Sequence, residues 1–239
     1  ADSSGDLSRP DVKHHNGLLR PSGGDVRIAG LSIAGVPVDR LAATIGFVFQ
    51  DPDDQLFNRS IEREVAFGPR NLGLDGAELT ALVDRALEVT GLTHVRAANP
   101  YDLGLSDRKL IALASVLAMD PFVLVLDEPT TGQDEPGVRR VGGIVDAFSA
   151  AGRTVITITH DMEFAARHFG RVVVMRQGEV VLDGTPVEVF APDRVELLAS
   201  TGLEPPVAAR VGARLGLGAT PTEAALVEAL TGGRLAGGQ

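Results

Sequence analysis

The sequence of 239 residues contains no cysteine and no tryptophan, and only one tyrosine. Without cysteine, neither a disulfide framework nor a thiolate metal site can form, and a reducing compartment is the expected setting. Lysine is also scarce, because Lys13 and Lys109 are the only lysines and neither follows a glycine. A Gly-Lys phosphate-binding motif of the usual form is therefore absent from this sequence.

Long apolar runs and an excess of positive charge are missing as well. The longest apolar run, residues 110–119 interrupted by Ser115, is shorter than the roughly 20 residues needed to cross a bilayer. Residues 1–12 have no apolar stretch resembling a signal peptide. The net charge of −10 argues against a nucleic-acid partner, since phosphate backbones are bound by basic patches.

What the sequence does contain is enough apolar residues, 44%, for a sizeable core. Short β-branched runs at 45–49, 123–126, 155–159 and 172–175 predict buried strands. Helical patterns between them favour an α/β fold with a layered sheet. We expect one domain over residues 1–184, with a mainly helical insertion at about 51–116, and a small helical appendage over 185–239.

The ends of several elements are also predicted. Asp75, with Glu78 in a capping box, begins a helix that Gly91 ends. Ser106 or Asp107 caps a later apolar helix. Residues 176–184 form a hairpin, and two proline-started helices follow. In the first of these, residues 207, 211 and 215 share one face; in the second, Thr220 is the cap.

The segment "VLVLDEPTTGQD", residues 123–134, carries the strongest chemical signal. Side chains at the carboxyl end of a buried strand project into the crevice where α/β sheets bind ligands. There Asp127 can hold magnesium through water, and Glu128 can orient and deprotonate an attacking water. A carboxylate pair that merely caps a turn is the alternative, and the surrounding motif favours the site.

Two further strand ends carry polar residues. His160 follows the strand in "TVITITHD" and can contact a terminal phosphate or position water, although a lone histidine is often structural. Gln50 ends "IGFVFQ", where an amide can ligate magnesium or hold water. By itself Gln50 is equally well explained as the polar first residue of a turn.

In this order and at these separations, these pieces resemble the ATP-binding cassette (ABC) ATPases. "FVFQ" resembles the Q-loop, "LGLSDRK" the signature loop, "LVLDEPTTGQD" the Walker B strand and D-loop, and "TITHD" the His switch. The closer resemblance is to energy-coupling-factor (ECF) ATPases of cobalt, nickel and vitamin importers. It rests on "NGLLRPSGG", "VFQDPDDQLF", "EREVAFGPRNLGL" and "GLEPPVAARVGARLG".

The resemblance implies a RecA-like P-loop NTPase core that hydrolyses ATP with Mg²⁺. It implies that Gln50 and Asp127 serve the metal, that Glu128 is the general base and that His160 contacts the terminal phosphate. Two ATPase domains would pair head to tail, as a homodimer or a heterodimer. The residues implied at that seam are Asp134 and, facing the partner's nucleotide, Gly104, Leu105, Ser106 and Asp107.

The same resemblance implies membrane partners. A transmembrane coupling protein would dock on the acidic segment after Gln50, and a separate membrane component would select the solute, so no residue here encodes that choice. The chain would be cytoplasmic and peripheral on the inner face of the membrane, with no nucleic acid bound. The alternatives are a truncated or non-catalytic ABC subunit acting as a partner module, and a soluble ABC protein unconnected with transport.

The sequence departs from the family pattern in two places. Residues 104–107 replace the last four residues of Leu-Ser-Gly-Gly-Gln, and Ser8 stands where the phosphate-loop (Walker A) lysine is expected, with Leu7 at the preceding glycine. Losing three charge-assisted phosphate bonds costs roughly 4–9 kcal/mol. We therefore expect weak ATP binding by this chain alone. Either a gene fragment or a natural loss explains the departure.

Overall fold

The computed structural model describes residues 23–28 and 30–235. The predicted position of the phosphate loop, including Leu7, Ser8 and Lys13, lies outside the described residues. The chain forms two compact units, which meet in sequence between Ile158 and Thr159. The domain boundary expected after residue 184 stays a prediction.

A parallel sheet organises the N-terminal unit. The short strands β1 (Arg27–Ile28) and β2 (Leu31–Ser32) pair antiparallel, and helix α1 (Val38–Ala42) follows them. Strands β3 (Ile45–Val48), β4 (Val123–Asp127) and β5 (Thr154–Ile158) then form a three-stranded parallel sheet in that order. Every residue of the central strand β4 is buried, which explains its uninterrupted apolar run. The strands lie within one residue of the predicted bounds.

Helices fill the insertion between β3 and β4, as predicted. They are α2 (Ile61–Asn71), α3 (Gly76–Thr90) and α4 (Leu105–Leu117), with 3₁₀ turns at Pro52–Asp54, Thr93–Val95 and Pro100–Asp102. Helices α2, α3 and α4 pack on one another, and α4 also packs on β3. Gly46 permits this close approach, because a Cβ atom there would collide with the Val116 side chain of α4. Helix α5 (Glu135–Ala150) connects β4 to β5.

The ends of α3 confirm one prediction and correct another. Gly91 adopts the left-handed conformation (φ 72°) at the C-cap, as predicted. Asp75 is the N-cap, but its side chain makes no capping hydrogen bond, so the expected capping box is wrong. The guanidinium of Arg140 donates to the Thr90 carbonyl at 2.7 Å and thereby satisfies one of the last carbonyls of the helix.

The C-terminal unit contains a hairpin and short helices. Its elements are α6 (Met162–His168), β6 (Val172–Arg176), β7 (Glu179–Gly184), α7 (Pro186–Val189), α8 (Val195–Ala199), α9 (Val207–Arg214) and α10 (Glu223–Leu235), with a 3₁₀ turn at Pro192–Arg194. Strands β6 and β7 pair antiparallel around Gln177 and Gly178, both at positive φ. This confirms the predicted hairpin.

The last helix begins later than predicted, and Thr220 does not cap it. Thr220 is buried and donates its hydroxyl to the Ala208 carbonyl of α9 at 2.7 Å. Thr222 instead accepts the Ala225 N–H at 3.3 Å, which is the capping geometry expected of a threonine. Thr220 is therefore used for packing two helices together.

Helix α9 starts after Pro205 and Pro206 as predicted, but its larger apolar side chains face outward. Val207, Val211 and Leu215 are all exposed, whereas Ala208, Ala209 and Gly212 are buried. The small residues allow the helix to approach its neighbours closely. Within the described residues, no helix has the length and apolar character needed to span a membrane.

An ion pair connects the end of α4 to the start of β5. Arg153 Nη1 lies 2.6 Å from Asp120 Oδ1 and 3.0 Å from the Pro121 carbonyl oxygen. The hydrogen bond from Arg153 lowers the pKa of the Asp120 carboxyl below its ordinary value. Because Asp120 has a half-exposed side chain (48%), solvent screens this pair and its contribution to stability is modest.

We predict that Asp120→Asn destabilises the protein by about 0.5 kcal/mol at neutral pH. Asparagine tolerates the positive φ of this position (53°), so the change removes mainly the charge. A depressed folded-state pKa stabilises above the unfolded-state pKa of about 4, and this stabilisation is lost as the pH falls through the folded-state value. Urea unfolding between pH 7 and pH 3 would measure the difference.

The matched variant is Arg153→Gln, which removes the other partner of the same pair. A double-mutant cycle should give a coupling energy that shrinks as the solution is acidified. A coupling energy that stays constant over this pH range would contradict the assignment.

Candidate functional site

Polar residues follow β3 and β4 at the same edge of the parallel sheet. Val48 pairs with Leu126, so Gln50 and Glu128 each stand two residues beyond paired positions on neighbouring strands. Gln50 and Glu128 are half-buried, and Asp127, the last residue of β4, is 7% exposed. The parallel register therefore brings the predicted Gln50, Asp127 and Glu128 to one edge, where α/β sheets place their ligands.

The backbone at Glu128 has an uncommon conformation. Glu128 is a non-glycine residue at φ 47°, a strained region that persists only where the surroundings enforce it. Its N–H donates to the Ile158 carbonyl of β5 at 2.9 Å, and its carbonyl accepts the Thr131 N–H at 3.3 Å. The Thr131 hydroxyl lies 3.2 Å from a carboxylate oxygen of Glu128. Hydrogen bonds therefore hold this residue through both its backbone and its side chain.

Lys109 supplies a further bond to the same carbonyl. Its ammonium on α4 donates to the Glu128 carbonyl oxygen at 2.9 Å, and the residue is only 7% exposed. Burial lowers the pKa of Lys109, while the negative charges of Glu128, Asp127 and Asp51 act in the opposite direction. From the sequence we noted only that this lysine follows no glycine. Its position directly before the apolar run of α4 was the available signal that its side chain is buried.

The signature loop differs from the prediction in how its helix begins. Gly104 is the N-cap of α4 and has no side chain to donate or accept, so neither Ser106 nor Asp107 caps the helix. The Ser106 hydroxyl oxygen instead lies 2.5 Å from Gln133 Oε1 and 3.0 Å from Asp134 Oδ1. Ser106 therefore forms hydrogen bonds with the loop between β4 and α5, which the sequence predicts to be the D-loop.

Asp134 is the N-cap of α5 and accepts the Gly137 N–H at 2.9 Å. The bonds from Gly137 and Ser106 hold the pKa of the Asp134 carboxyl below its ordinary value. Gly132 is in the left-handed conformation, and a Cβ atom there would lie 2.7 Å from Leu105 Cδ2. The predicted signature and D-loop residues thus contact each other through Ser106–Asp134 and Leu105–Gly132.

Of the remaining predicted residues, Gly104, Leu105 and Asp107 are exposed on the N-terminal unit. His160 lies two residues beyond β5, in the C-terminal unit, and its contact with a terminal phosphate stays a prediction.

The donors at the sheet edge fit magnesium by their chemistry. Gln50 and Asp127 carry amide and carboxylate oxygens, the hard donors that this ion prefers. In the part of the chain that the structure describes, no cluster of three or more histidine, cysteine or acidic residues forms a metal cage. Magnesium is commonly bound by one or two protein oxygens, with phosphates and waters completing the shell, so the site fits a metal that arrives with a nucleotide.

The segment after Gln50 is fastened to α4. Asp53 accepts two bonds from Arg108 Nη1 at 2.6 and 2.8 Å. The Gln55 side-chain nitrogen donates to the Ala112 carbonyl at 3.0 Å. Beyond it, Phe57 and Phe67 are exposed (56% and 43%) with ring centroids 4.7 Å apart. The result is an aromatic pair on the surface, close in sequence to an acidic turn that is hydrogen-bonded to α4.

Comparison with known proteins identifies the family. The family model for ABC transporters matches residues 12–131. A putative ABC transporter ATP-binding protein of Methanosarcina acetivorans is 43% identical over 198 residues, covering 83% of this chain and 32% of the relative. The energy-coupling factor transporter ATP-binding protein EcfA1 of Methanospirillum hungatei is 41% identical over 196 residues, covering 82% of this chain and 70% of the relative. The chain thus spans about a third of the first relative's length.

Solved structures agree with this grouping. CbiO1 of Clostridium perfringens, described as part of the ABC transporter complex CbiONQ, superposes with a TM-score of 0.71 at 35% identity, covering 85% of this chain and 82% of that one. A dimeric ATP-binding cassette bound to ADP and phosphate superposes with a TM-score of 0.66 at 22% identity, covering 74% and 80%, which supports the fold alone. The chain therefore belongs to the ABC transporter family, has the RecA-like P-loop NTPase core of that family and is an ABC-type ATPase domain.

Proposed function

We propose that the chain is the ATP-binding and ATP-hydrolysing subunit that energises an ECF-type importer of a metal ion or vitamin. The observation that carries the proposal is the shared sheet edge, at which Gln50, Asp127 and Glu128 follow paired strands. Relatives named as energy-coupling factor ATP-binding proteins, 41% to 42% identical, support the ECF assignment.

Each residue at the edge has a chemical task in this proposal. Gln50 and Asp127 hold Mg²⁺, which when bound neutralises negative charge on the phosphate oxygens. Glu128 accepts a proton from the water that attacks the terminal phosphate. His160 contacts that phosphate from the chain segment after β5. The bond from the Thr131 hydroxyl to the Glu128 carboxylate and the bond from the Glu128 N–H to the Ile158 carbonyl support the task of Glu128, because they fix the residue in place.

The proposed assembly is a head-to-tail pair of ATPase domains, in which the partner is a second copy or a related ATPase. Gly104, Leu105, Ser106 and Asp107 face the nucleotide of the partner, and Asp134 lies at the seam. Two observations support this arrangement: Gly104, Leu105 and Asp107 are exposed, and Ser106 contacts Asp134. CbiO1, to which the chain is similar, is described as part of an ABC transporter complex.

The proposed membrane contact is the aromatic pair Phe57 and Phe67, next to the acidic turn Pro52–Asp54. Exposed aromatic side chains are typical anchors of protein interfaces. The Arg108–Asp53 pair and the Gln55 bond join this turn to α4, so a displacement of the turn by a transmembrane coupling protein would be transmitted to the signature helix. In this proposal the chain lies on the inner face of the membrane, and a separate membrane component selects the solute.

A second candidate function is a non-catalytic partner module. It is favoured by the absence of a lysine in a glycine-rich loop, since Lys13 follows a valine and Lys109 an arginine. In that case residues 104–107 would contact the nucleotide of a catalytically active ATPase partner, and Glu128 of this chain would take no part in hydrolysis.

We predict that Glu128→Gln lowers ATP turnover by about 100-fold or more, because a general base contributes 10²–10⁴-fold to such reactions. Nucleotide binding should persist, since glutamine keeps the shape and removes the negative charge. Steady-state phosphate release by the full-length protein, alone and with its partner ATPase, would measure the effect.

The control for this experiment is Glu88→Gln on the exposed side of α3, which should leave turnover unchanged. Normal turnover in the Glu128→Gln assembly would exclude catalysis by this chain and support the partner-module function.

We predict that Phe57→Asp weakens binding to the transmembrane coupling protein by about 30-fold, the effect of removing an interface anchor worth about 2 kcal/mol. Titration of the full-length protein against the coupling protein in nanodiscs would measure it. Phe122→Asp is the matched control, because Phe122 is similarly exposed (48%) but precedes β4 at the opposite end of the strand. Equal loss of binding in both variants would refute the proposed contact.

A further inference from the structure

The ammonium of Lys109 forms a hydrogen bond with the backbone of Glu128, the proposed general base, within the N-terminal unit. Lys109 belongs to the first turns of α4, the signature helix, and its Nζ atom reaches the Glu128 carbonyl oxygen at 2.9 Å. The two residues are 19 positions apart in sequence. The N-terminal end of α4 is proposed to face the nucleotide of the partner, and the same helix also contacts Glu128, the proposed general base of its own chain.

The Glu128 carbonyl needs this contact because of its conformation. A non-glycine residue at φ 47° is strained relative to an ordinary backbone geometry, so it relaxes when the bonds that enforce it are removed. The carbonyl has another donor, the Thr131 N–H, but that bond is long at 3.3 Å. Lys109 is the shorter and charged donor to this oxygen, and charge-assisted bonds are the stronger ones.

The surroundings of Lys109 leave little room for a substitute. Its side chain lines a space of about 10 Å³ together with Val48, Phe49, Leu126, Pro129 and Gln133. A water needs roughly 10–15 Å³ and several polar partners, so beside the ammonium this mainly apolar space has room for one water at most. These neighbours come from the ends of β3 and β4 and from the loop before α5, so the lysine stem packs among the segments that build the site.

We propose that Lys109 is a positioning residue for ATP hydrolysis, which holds the Glu128 backbone in its left-handed conformation and so aims the Glu128 carboxylate. The role in hydrolysis rests on the proposed function, whereas the effect on the backbone does not. Lys109 does not take the place of a phosphate-loop lysine, because its ammonium is bonded to the Glu128 carbonyl.

The experiment compares Lys109→Met with the wild-type full-length protein by amide hydrogen exchange in the absence of nucleotide. Methionine keeps the unbranched apolar stem and removes the donor. We expect exchange at the Thr131 amide to become about tenfold faster or more, since a lost bond to a charged group opens the loop locally. Where the chain hydrolyses ATP, kcat should fall about tenfold or more with little change in KM, since a misaligned base impairs the chemical step.

Arg153→Met is the matched control, because Arg153 also donates to a backbone carbonyl, that of Pro121, away from the sheet edge. It should leave exchange at Thr131 unchanged. If Lys109→Met does not fold, Lys109→Leu, which also has an apolar side chain without a donor, gives the same comparison.

Unchanged exchange at Thr131 in the lysine variant would overturn the proposal, whatever the turnover. Faster exchange together with unchanged kcat in an active wild-type protein would overturn it as well. If the wild type hydrolyses no ATP, the proposed function fails, and the exchange result still decides whether Lys109 fixes the Glu128 backbone.

Discussion

The parallel register of β3, β4 and β5 is the constraint on which the candidate site depends. In parallel pairing, the carboxyl ends of neighbouring strands lie at the same edge of the sheet, so the residues that follow them lie at that edge as well. The pairing of Val48 with Leu126 sets Gln50 level with Glu128, and the pairing of Asp127 with Ile158 lets β5 bond the Glu128 N–H. A shift of the register by one residue would separate Gln50 from Asp127 and leave the strained Glu128 backbone without its partner on β5.

The first turns of α4 connect the loops that surround this edge. Ser106 contacts Gln133 and Asp134, Arg108 pairs with Asp53, and Lys109 bonds the Glu128 carbonyl. The signature helix therefore contacts the D-loop, the segment after Gln50 and the Walker B end within one unit. Because α4 is a rigid element packed on β3, a displacement of any of these loops is opposed by the other contacts. This arrangement is what a subunit needs if events at a membrane contact are to reach a phosphate site.

Local patterns in the sequence were sufficient to predict the strands, the helical insertion and the residues at the sheet edge. Their signals lie within a few positions, such as the apolar run that ends in Asp127 and Glu128. The errors concern partners distant in sequence. Thr220 has every local feature of a cap, yet it bonds Ala208 of another helix, and Ser106 bonds residues 27 and 28 positions away. Lys109 was missed as a site residue because its partner is a backbone carbonyl, and any residue type presents such a carbonyl.

The changed signature has a physical consequence for Ser106. Its hydroxyl has one proton, and two acceptors, Gln133 Oε1 and Asp134 Oδ1, already lie within hydrogen-bond distance. A phosphate oxygen from a partner's nucleotide would compete with them for this proton. Asp134 retains the Gly137 N–H and tolerates the loss, and the Gln133 amide can turn to offer its nitrogen to the phosphate. Binding of a partner's nucleotide at Ser106 would therefore change the hydrogen bonds of the D-loop. This loop follows Glu128 in the chain, and Lys109 and Thr131 bond the Glu128 carbonyl.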